Sequence, residues 1–217
     1  MTIRLAVFDC DGTLVDGQAD ICAAMELAFA AAGLSAPDRH EVRRIVGLSL
    51  PQAIAMLAPG ADRARQSAAA DAYRQAFRAA RSEGRLAEPL FPGIAAMLGR
   101  LVASGWTMGV ATGKSDRGLI HCLAEHNITD HFVTLQTADR HPSKPHPAML
   151  LAALEEAGAE PEQSVMIGDT VFDIEMARAA GVRAIGVSWG YHAPRELLAA
   201  GAISVARTPA QLEELLK

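Results

Sequence analysis

The 217-residue sequence has few cysteines, few aromatic residues and no long run of basic charge. Its three cysteines, Cys10, Cys22 and Cys122, are odd in number, widely spaced and without a Cys-x-x-Cys pair, which argues against a disulfide framework and a zinc site. A net charge of -5 and an aromatic content of 5% argue against nucleic acid as a partner. The composition therefore favours a globular protein of a reducing compartment.

Long apolar runs are also missing. The most apolar helical stretch, residues 23–32, is interrupted by Glu26 and falls short of the roughly 18 uncharged apolar residues that a membrane span needs. The first apolar run, residues 3–8, meets an acidic pair at once, which leaves no room for the apolar part of a secretory leader. We therefore expect no membrane partner and a cytoplasmic location; no oligomeric state is predicted.

What the sequence does contain is an alternation of short apolar runs with helical patterns. Runs rich in β-branched residues predict strands at 3–8, 107–111, 131–135, 164–167 and 184–187. Apolar spacings of three and four predict intervening helices at 93–104, 116–126, 148–157 and 172–180. This alternation predicts an α/β fold with a doubly wound parallel sheet and helices on both faces.

The interval between the first two strands breaks this rhythm. A strand–helix–strand crossover fits in roughly 30 residues, but almost 100 residues separate Asp9 from Thr107. The intervening segment is rich in alanine and helical in pattern. We expect a helical cap over residues 17–88, inserted into a catalytic core formed by residues 1–16 and 89–217.

Two carboxylates, Asp9 and Asp11, follow the first predicted strand directly, with Gly12 and Thr13 after them. Side chains two residues apart in a strand lean the same way, so the two acids would repel by about 4 kcal/mol at 4 Å and an effective dielectric near 20. A cation or a shared proton would offset this repulsion. An ordinary turn is the competing interpretation, because Asp and Gly are common turn residues.

Polar residues also follow the later strands, and the ends of parallel strands share one edge of a sheet. The loops are Thr112-Gly113-Lys114, a segment centred on Lys144, and Gly168-Asp169-Thr170-Val171-Phe172-Asp173. Simpler interpretations exist for each: a helix cap at Thr112, solvated lysines, and a capping box formed by Thr170 with Asp173. The capping box leaves Asp169 unexplained. If all the simpler interpretations held, these three loops and the loop after the first strand would have brought polar residues to the same edge by accident.

In this order, these motifs resemble those of the haloacid dehalogenase-like phosphohydrolases. That family has D-x-D-G-T-L, then a Ser or Thr after strand two, then a Lys, then G-D-x-x-x-D, with a helical cap between the first two motifs. The segments F-P-G, S-K-P-H-P and G-V-S-W-G-Y resemble the phosphoglycolate phosphatase branch. The resemblance covers essentially the whole chain.

The resemblance implies a magnesium-dependent phosphomonoesterase with a small phosphorylated metabolite as substrate, and phosphoglycolate is the best single guess for that substrate. The resemblance makes Asp9 the nucleophile that forms an aspartyl-phosphate and Asp11 the general acid and base. By the same resemblance, Mg²⁺ would bind Asp9, the main-chain carbonyl of Asp11, and Asp169. Thr112 and Lys144 would hold the transferring phosphoryl group. The phosphate-binding or supporting residues would be Gly12, Thr13, Gly113, Lys114 and Asp173.

Departures from the family pattern narrow the function. Gly113 stands where the family often has Asn, and Gly47-Leu48-Ser49-Leu50 replaces the Gly-Val-Ser-Arg of β-phosphoglucomutases, which disfavours a mutase. Arg43, Arg44 and Gly47 are candidates for substrate selection, although exposed arginines are usually solvated. A pyrophosphatase, a nucleotide or sugar phosphatase, and a phosphoacceptor regulatory module remain as alternatives.

Overall fold

The computed structural model describes residues 3–217, which contain a six-stranded parallel sheet with strand order β3-β2-β1-β4-β5-β6. The strands are β1 (Leu5–Phe8), β2 (Thr107–Thr112), β3 (Thr134–Thr137), β4 (Ser164–Gly168), β5 (Arg183–Val187) and β6 (Ser204–Ala206). The predicted doubly wound parallel sheet is confirmed. Residues within β1 are fully buried, as expected of a central strand covered on both faces.

Strand β1 lies between β2 and β4, so the chain reverses its direction of travel across the sheet at this point. Phe8 is in register with Val110 of β2 and with Ile167 of β4. In an open parallel sheet, ligands bind where the connections diverge, beyond the carboxyl ends of the strands. The residues that follow β1, β2 and β4 therefore meet at the edge of the sheet where a site is expected.

Four helices lie between β1 and β2. They are α1 (Gln18–Ala31), α2 (Arg39–Arg44), α3 (Leu50–Leu57) and α4 (Arg63–Ser82). Apolar side chains from all four pack into a cluster of their own, which includes Met25, Phe29, Val42, Ile54 and Ala69. The inserted helices thus have a core that is separate from the two cores beside the sheet.

Six further helices cover the sheet: α5 (Ile94–Ala103), α6 (Asp116–Glu125), α7 (Ala148–Ala157), α8 (Val171–Ala179), α9 (Pro194–Ala200) and α10 (Pro209–Leu215). One buried cluster packs α5, α6 and α10 against one face, and a second packs α7, α8 and α9 against the other. Alternate residues of β1 serve the two faces: Phe8 belongs to the first cluster and Val7 to the second.

Most predicted elements of the core lie within a few residues of the observed ones, and the differences have physical causes. Strand β3 begins at Thr134 rather than His131, because Thr129–His131 forms a 3₁₀ turn. Strand β6 is only three residues long and gives little periodic signal, and neither α9 nor α10 was predicted. Among the described residues, no helix combines the length and the apolar character needed to cross a bilayer.

The two chain segments that join the inserted helices to the core pair with each other. Val15 and Leu90 form an antiparallel bridge, and the Asp16 N–H donates to the Pro89 carbonyl at 2.8 Å. The Phe91 N–H donates to the Leu14 carbonyl at 3.0 Å. These bonds fix both connections beside the end of β1, where Asp9 and Asp11 lie.

Truncating a core side chain should destabilise the protein far more than truncating its neighbour. Leu101 of α5 is 1% exposed and Val102 is 47% exposed. Leu101→Ala should lower the free energy of unfolding by about 2–5 kcal/mol, since it leaves a cavity, and Val102→Ala by less than about 1 kcal/mol. Urea titration of both variants measures the difference; equal losses would contradict this assignment of the core.

Candidate active site

The carboxyl ends of the strands bring the predicted residues together. Asp9 follows β1, Thr112 ends β2, and Asp169 follows β4, while Lys144 lies in the loop between β3 and α7. All four side chains are buried, with exposures of 1% or less. Charged side chains are rarely buried for the sake of packing, so a buried cluster of acids with a lysine is a strong indication of a functional site.

Lys144 is held between two carboxylates. Its Nζ lies 2.9 Å from Asp9 Oδ1 and 2.6 Å from Asp173 Oδ1, and none of the three side chains is exposed. The Cys10 N–H also donates to Asp9 Oδ1, at 2.7 Å. These contacts fix the orientation of the Asp9 carboxylate and leave its Oδ2, which is buried, without a hydrogen-bond partner in the described chain.

Asp173 has two structural roles at once. Its Oδ1 accepts from Lys144, and its Oδ2 accepts from the N–H and the hydroxyl of Thr170, at 3.0 and 2.7 Å. The capping-box interpretation of Thr170 and Asp173 is therefore correct, and the same carboxylate also contacts Lys144. Both oxygens of Asp173 are engaged, which makes it a support for Lys144.

Asp169 is oriented by the first loop and by the loop after β5. Thr13 Oγ1 donates to Asp169 Oδ1 at 2.8 Å, and the Tyr191 N–H donates to Asp169 Oδ2 at 2.9 Å. Gly12 has a φ of +82°, and a Cβ there would overlap Asp169 and Tyr191. Glycine is required at this position for both reasons.

The buried acids fit a hard divalent cation. Oxygens of Asp9, Asp169 and Asp173 lie within 4.8 Å of one another, and this is the group of potential metal ligands that the described residues contain. Asp9 Oδ2 is available because residues 3–217 offer it no hydrogen-bond partner. Closely spaced carboxylate oxygens are ligands that Mg²⁺ prefers, and a cation would relieve their mutual repulsion.

Lys114 is neither free nor solvated. Its Nζ lies 3.1 Å from Asp11 Oδ1 and forms a close ion pair with Glu88. Glu88 comes from the second connection between the inserted helices and the core. Its contact with Lys114 could not be predicted, because nothing in the local sequence separates this glutamate from the charged residues of α4 that precede it.

The loop between α2 and α3 lies directly over the site. A Cβ at Gly113 would come within 2.6 Å of the carbonyl oxygens of Gly47 and Leu48, so the glycine that departs from the family pattern makes room for this loop. A Cβ at Gly47 would lie 3.8 Å from Asp9 Oδ2. The Ser49 N–H donates to Ser143 Oγ at 2.8 Å, which ties the same loop to the segment that carries Lys144.

A cavity of about 480 Å³ extends from Asp11 and Lys114 into the space beneath the inserted helices. Its wall combines apolar side chains with a row of arginines on α4 and one arginine of α6. The apolar members include Met25, Leu50 and Phe77; the arginines are Arg74, Arg78 and Arg81 of α4 and Arg117 of α6. Arg81 Nε is buried without a hydrogen-bond partner in the described chain. An unpartnered guanidinium nitrogen is a candidate contact for an anionic or polar ligand group.

The arginines predicted to select the substrate are not the ones that line this cavity. Arg43 and Arg44 border a second, smaller recess, and Arg44 pairs with Glu196 at 2.9 Å. Gly47, the third candidate, does line the main cavity. The arginines of α4 were missed because an amphipathic helix of 20 residues shows which face is polar, but not which face meets a site.

Burial determines the direction of the pKa shift for the site's aspartates, and neighbouring charges determine it for the lysine. Burial raises the pKa of Asp9 to about 7, although the charge of Lys144 acts in the opposite direction. Burial also raises the pKa of Asp169, and the neighbouring Asp173 and Asp9 charges add to this effect. For Lys144, burial acts to lower the pKa, but the carboxylates of Asp173 and Asp9 outweigh it and raise the pKa.

His192 is a further residue that sequence analysis missed. Its Nδ1 accepts from the Val171 N–H at 3.1 Å, and its Nε2 lies 3.0 Å from the Arg44 carbonyl. This histidine thus connects the start of α8 in the core with the end of α2 in the inserted helices. No motif marks it, since its role depends on a contact over almost 150 residues of sequence.

The fold and the site together consist of a doubly wound sheet with buried aspartates and a lysine at its carboxyl edge, covered by an inserted helical unit. The family model for haloacid dehalogenase-like hydrolases matches residues 6–187. The chain belongs to this family.

Relatives and solved structures agree with this assignment. The chain is 37% identical to the probable phosphatase IndB of Dickeya dadantii, over 90% of this chain and 86% of that protein. It is 32% identical to a phosphoglycolate phosphatase of Pseudomonas putida, over 89% and 72% respectively. A haloacid dehalogenase-like protein of Streptococcus pneumoniae is 26% identical and superposes with a TM-score of 0.86 over 99% of both chains. The predicted family is confirmed, and the names of the relatives support the predicted enzyme class.

The raised pKa of Asp9 makes the stability of the metal-free protein depend on pH. Below about pH 4 the carboxyl is protonated in both folded and unfolded states; as pH rises towards 7 the unfolded state loses its proton first, so folding loses stability. Relative to Asp9→Asn, the unchanged protein with EDTA should therefore become progressively less stable between pH 5 and pH 8.

Urea midpoints across this range measure the effect, with Asp130→Asn, which removes an exposed carboxylate, as the control. Added Mg²⁺ should restore the stability of the unchanged protein at pH 8 and leave Asp9→Asn nearly unaffected. A pH-independent difference between the two proteins would show that Asp9 is ionised throughout.

Proposed function

We propose that this protein is a magnesium-dependent phosphomonoester hydrolase that acts through an aspartyl-phosphate on Asp9. The observation that carries the proposal is the Asp9 carboxylate, fixed through Oδ1 by Lys144 with Oδ2 unpartnered, beside a second buried acid. A nucleophile held in one orientation beside a cation is what phosphoryl transfer needs, because this chemistry depends on positioning and charge stabilisation.

In the first step, a carboxylate oxygen of Asp9 attacks the phosphorus. The bond between phosphorus and the ester oxygen breaks, and Asp11 gives its proton to the departing alkoxide. In the second step, Asp11 removes a proton from water, which attacks the phosphorus of the aspartyl-phosphate. The Asp9 carboxylate and inorganic phosphate are released, so protons and bonds balance over the cycle.

The remaining residues would hold the transferring group. Thr112 ends β2, and Gly113, the next residue, lines the cavity. The Thr112 hydroxyl and the Gly113 amide would donate to phosphoryl oxygens. Lys144 would neutralise charge on the same group, with Asp173 holding the lysine in place. Gly12 and Thr13 would support the site by orienting Asp169.

The proposed metal ligands are Asp9, the main-chain carbonyl of Asp11, and Asp169. When bound, Mg²⁺ would supply charge neutralisation for the carboxylates and for the phosphoryl oxygens. Lys114 is placed to neutralise Asp11, which it contacts directly.

The inserted helices would select the leaving group. We take residues 17–88 as the cap and residues 1–16 with 89–217 as the catalytic core. The loop at Gly47 and Leu48 already covers Asp9, which would exclude water from the reacting atoms. Phosphoglycolate is the first substrate to test, because several relatives are named phosphoglycolate phosphatase and the α4 arginines would contact the carboxylate of this substrate.

The cavity favours a second candidate, a sugar or nucleotide phosphate. Its volume of about 480 Å³ falls in the range of about 300–1,000 Å³ typical of drug-sized ligands. Tyr73 and Phe77 of α4, with ring centroids 4.9 Å apart, offer an aromatic surface beside it. Phosphoglycolate, with nine non-hydrogen atoms, would leave much of this space to water.

Asp9→Asn should abolish turnover while leaving the fold intact. Release of inorganic phosphate from p-nitrophenyl phosphate and phosphoglycolate should require Mg²⁺, cease with EDTA, and fall by at least about 10³-fold in the variant, because the nucleophile is lost. Asp130→Asn serves as the control. Turnover that survives both EDTA and Asp9→Asn would refute the mechanism, and a long-lived phosphoprotein without turnover would indicate a phosphoacceptor module.

Arg81→Gln should distinguish the substrate classes. If Arg81 meets a leaving-group anion, kcat/KM for phosphoglycolate should fall about 10-fold or more, the effect of losing a charged hydrogen bond, whereas p-nitrophenyl phosphate should be little affected. Arg85→Gln is the matched control, since Arg85 is exposed and pairs with Glu83. A panel of sugar and nucleotide phosphates and pyrophosphate, ranked by kcat/KM in the unchanged enzyme, tests the alternatives.

A further inference from the structure

Three charged side chains form a buried row beside the reacting carboxylates. Lys114 Nζ lies 3.1 Å from Asp11 Oδ1 on one side and forms a close ion pair with Glu88 Oε1 on the other. The side chains are 11%, 10% and 2% exposed for Asp11, Lys114 and Glu88. The glutamate at the far end is thus the most deeply buried of the three, although no predicted site residue lies near it in sequence.

The three residues belong to three separate segments of the chain. Asp11 follows β1, Lys114 follows β2, and Glu88 lies in the connection between α4 and α5. The Glu88 carbonyl is fixed by His126 Nε2 at 2.7 Å, in the core. The next residue, Pro89, accepts from the Asp16 N–H in the other connection. Glu88 is therefore held at the point where both connections leave the core.

Close packing keeps the two carboxylates on either side of the ammonium. A Cβ on Gly17 would come within 3.0 Å of Asp11 Oδ1 and 3.4 Å of Glu88 Oε1, so this glycine lies against both acids. If a buried lysine has only one carboxylate partner, some of its N–H donors stay unsatisfied, and its ammonium group can occupy several positions around that carboxylate. A second carboxylate, anchored through its own backbone, restricts the ammonium to one place.

We propose that Glu88 is a positioning residue for Asp11 and acts through Lys114. The inference depends on the proposed function, in which Asp11 protonates the leaving group. Glu88 fixes the ammonium of Lys114, and the ammonium fixes the Asp11 carboxyl towards the ester oxygen. The connection that carries the cap thereby sets the geometry of proton transfer.

The consequence is a dependence on the leaving group that a purely structural role would not produce. A nitrophenolate departs as a stable anion and gains little from general acid catalysis, whereas the phenolate of phenyl phosphate is more basic and gains more. Both esters have similar shape and the same charge. Loss of positioning should therefore reduce kcat/KM for phenyl phosphate selectively, and kcat/KM excludes the later hydrolysis of the aspartyl-phosphate.

The test is kcat/KM for a series of substituted phenyl phosphates with Glu88→Gln, which keeps the shape and removes the charge. We expect a fall of about 10-fold for phenyl phosphate, part of the 10²–10⁴-fold that general acid–base catalysis supplies, and less than about 3-fold for p-nitrophenyl phosphate. Glu83→Gln, which removes an exposed glutamate paired with Arg85, should leave the series unchanged. Equal losses for all esters, or none, would overturn the proposal.

A double-mutant cycle tests whether the effect passes through Lys114. In a Lys114→Gln background, Glu88→Gln should cost less than about 2-fold more, because the intermediary is already gone. Full additivity would overturn the proposed route. If Lys114→Gln does not fold, the leaving-group series of Glu88→Gln alone decides. Turnover that survives Asp9→Asn would refute the proposed function instead, so the two failures are distinguishable.

Discussion

The buried ion pairs of Lys144 with Asp9 and Asp173 are the interaction on which the rest of the site depends. Three acids at one edge of a sheet repel one another strongly in a medium of low polarity, and burial raises the pKa values of Asp9 and Asp169. Lys144 offsets part of this repulsion and holds Asp9 Oδ1, while Oδ2 stays unpartnered. The negative charge that remains would favour a divalent cation, and with that cation bound the site would no longer repel a negatively charged phosphoryl group.

A second buried row of charges, Asp11 with Lys114 and Glu88, lies beside the first. The two rows differ in origin: the first joins loops of the sheet alone, whereas the second includes the connection to the inserted helices. This difference assigns them different work. In the proposed mechanism, the first row would fix the carboxylate that attacks phosphorus, and the second would link the proton donor to the helices that cover the substrate.

The sheet and the first row could be predicted from sequence because their signals are local. Short β-branched runs, glycines at helix ends and the order of the motifs placed Asp9, Asp11, Thr112, Lys144, Asp169 and Asp173 at one edge. Strand β6, helices α9 and α10, and the start of β3 were not predicted correctly, because short elements carry too few residues to show a period. Sequence also could not decide whether Asp173 caps α8 or contacts Lys144, and in the structure its two carboxylate oxygens do both.

By itself, the sequence determined the fold class, the family resemblance and the identity of the central acids, because parallel strands must end at a common edge. Only the tertiary structure decided which surface of the cap meets that edge. In the structure the arginines of α4 line the cavity, Arg43 and Arg44 border a different recess, and Glu88 contacts Lys114. Amphipathic patterns identify a buried face but not its partner, and contacts between residues distant in sequence leave no periodic trace.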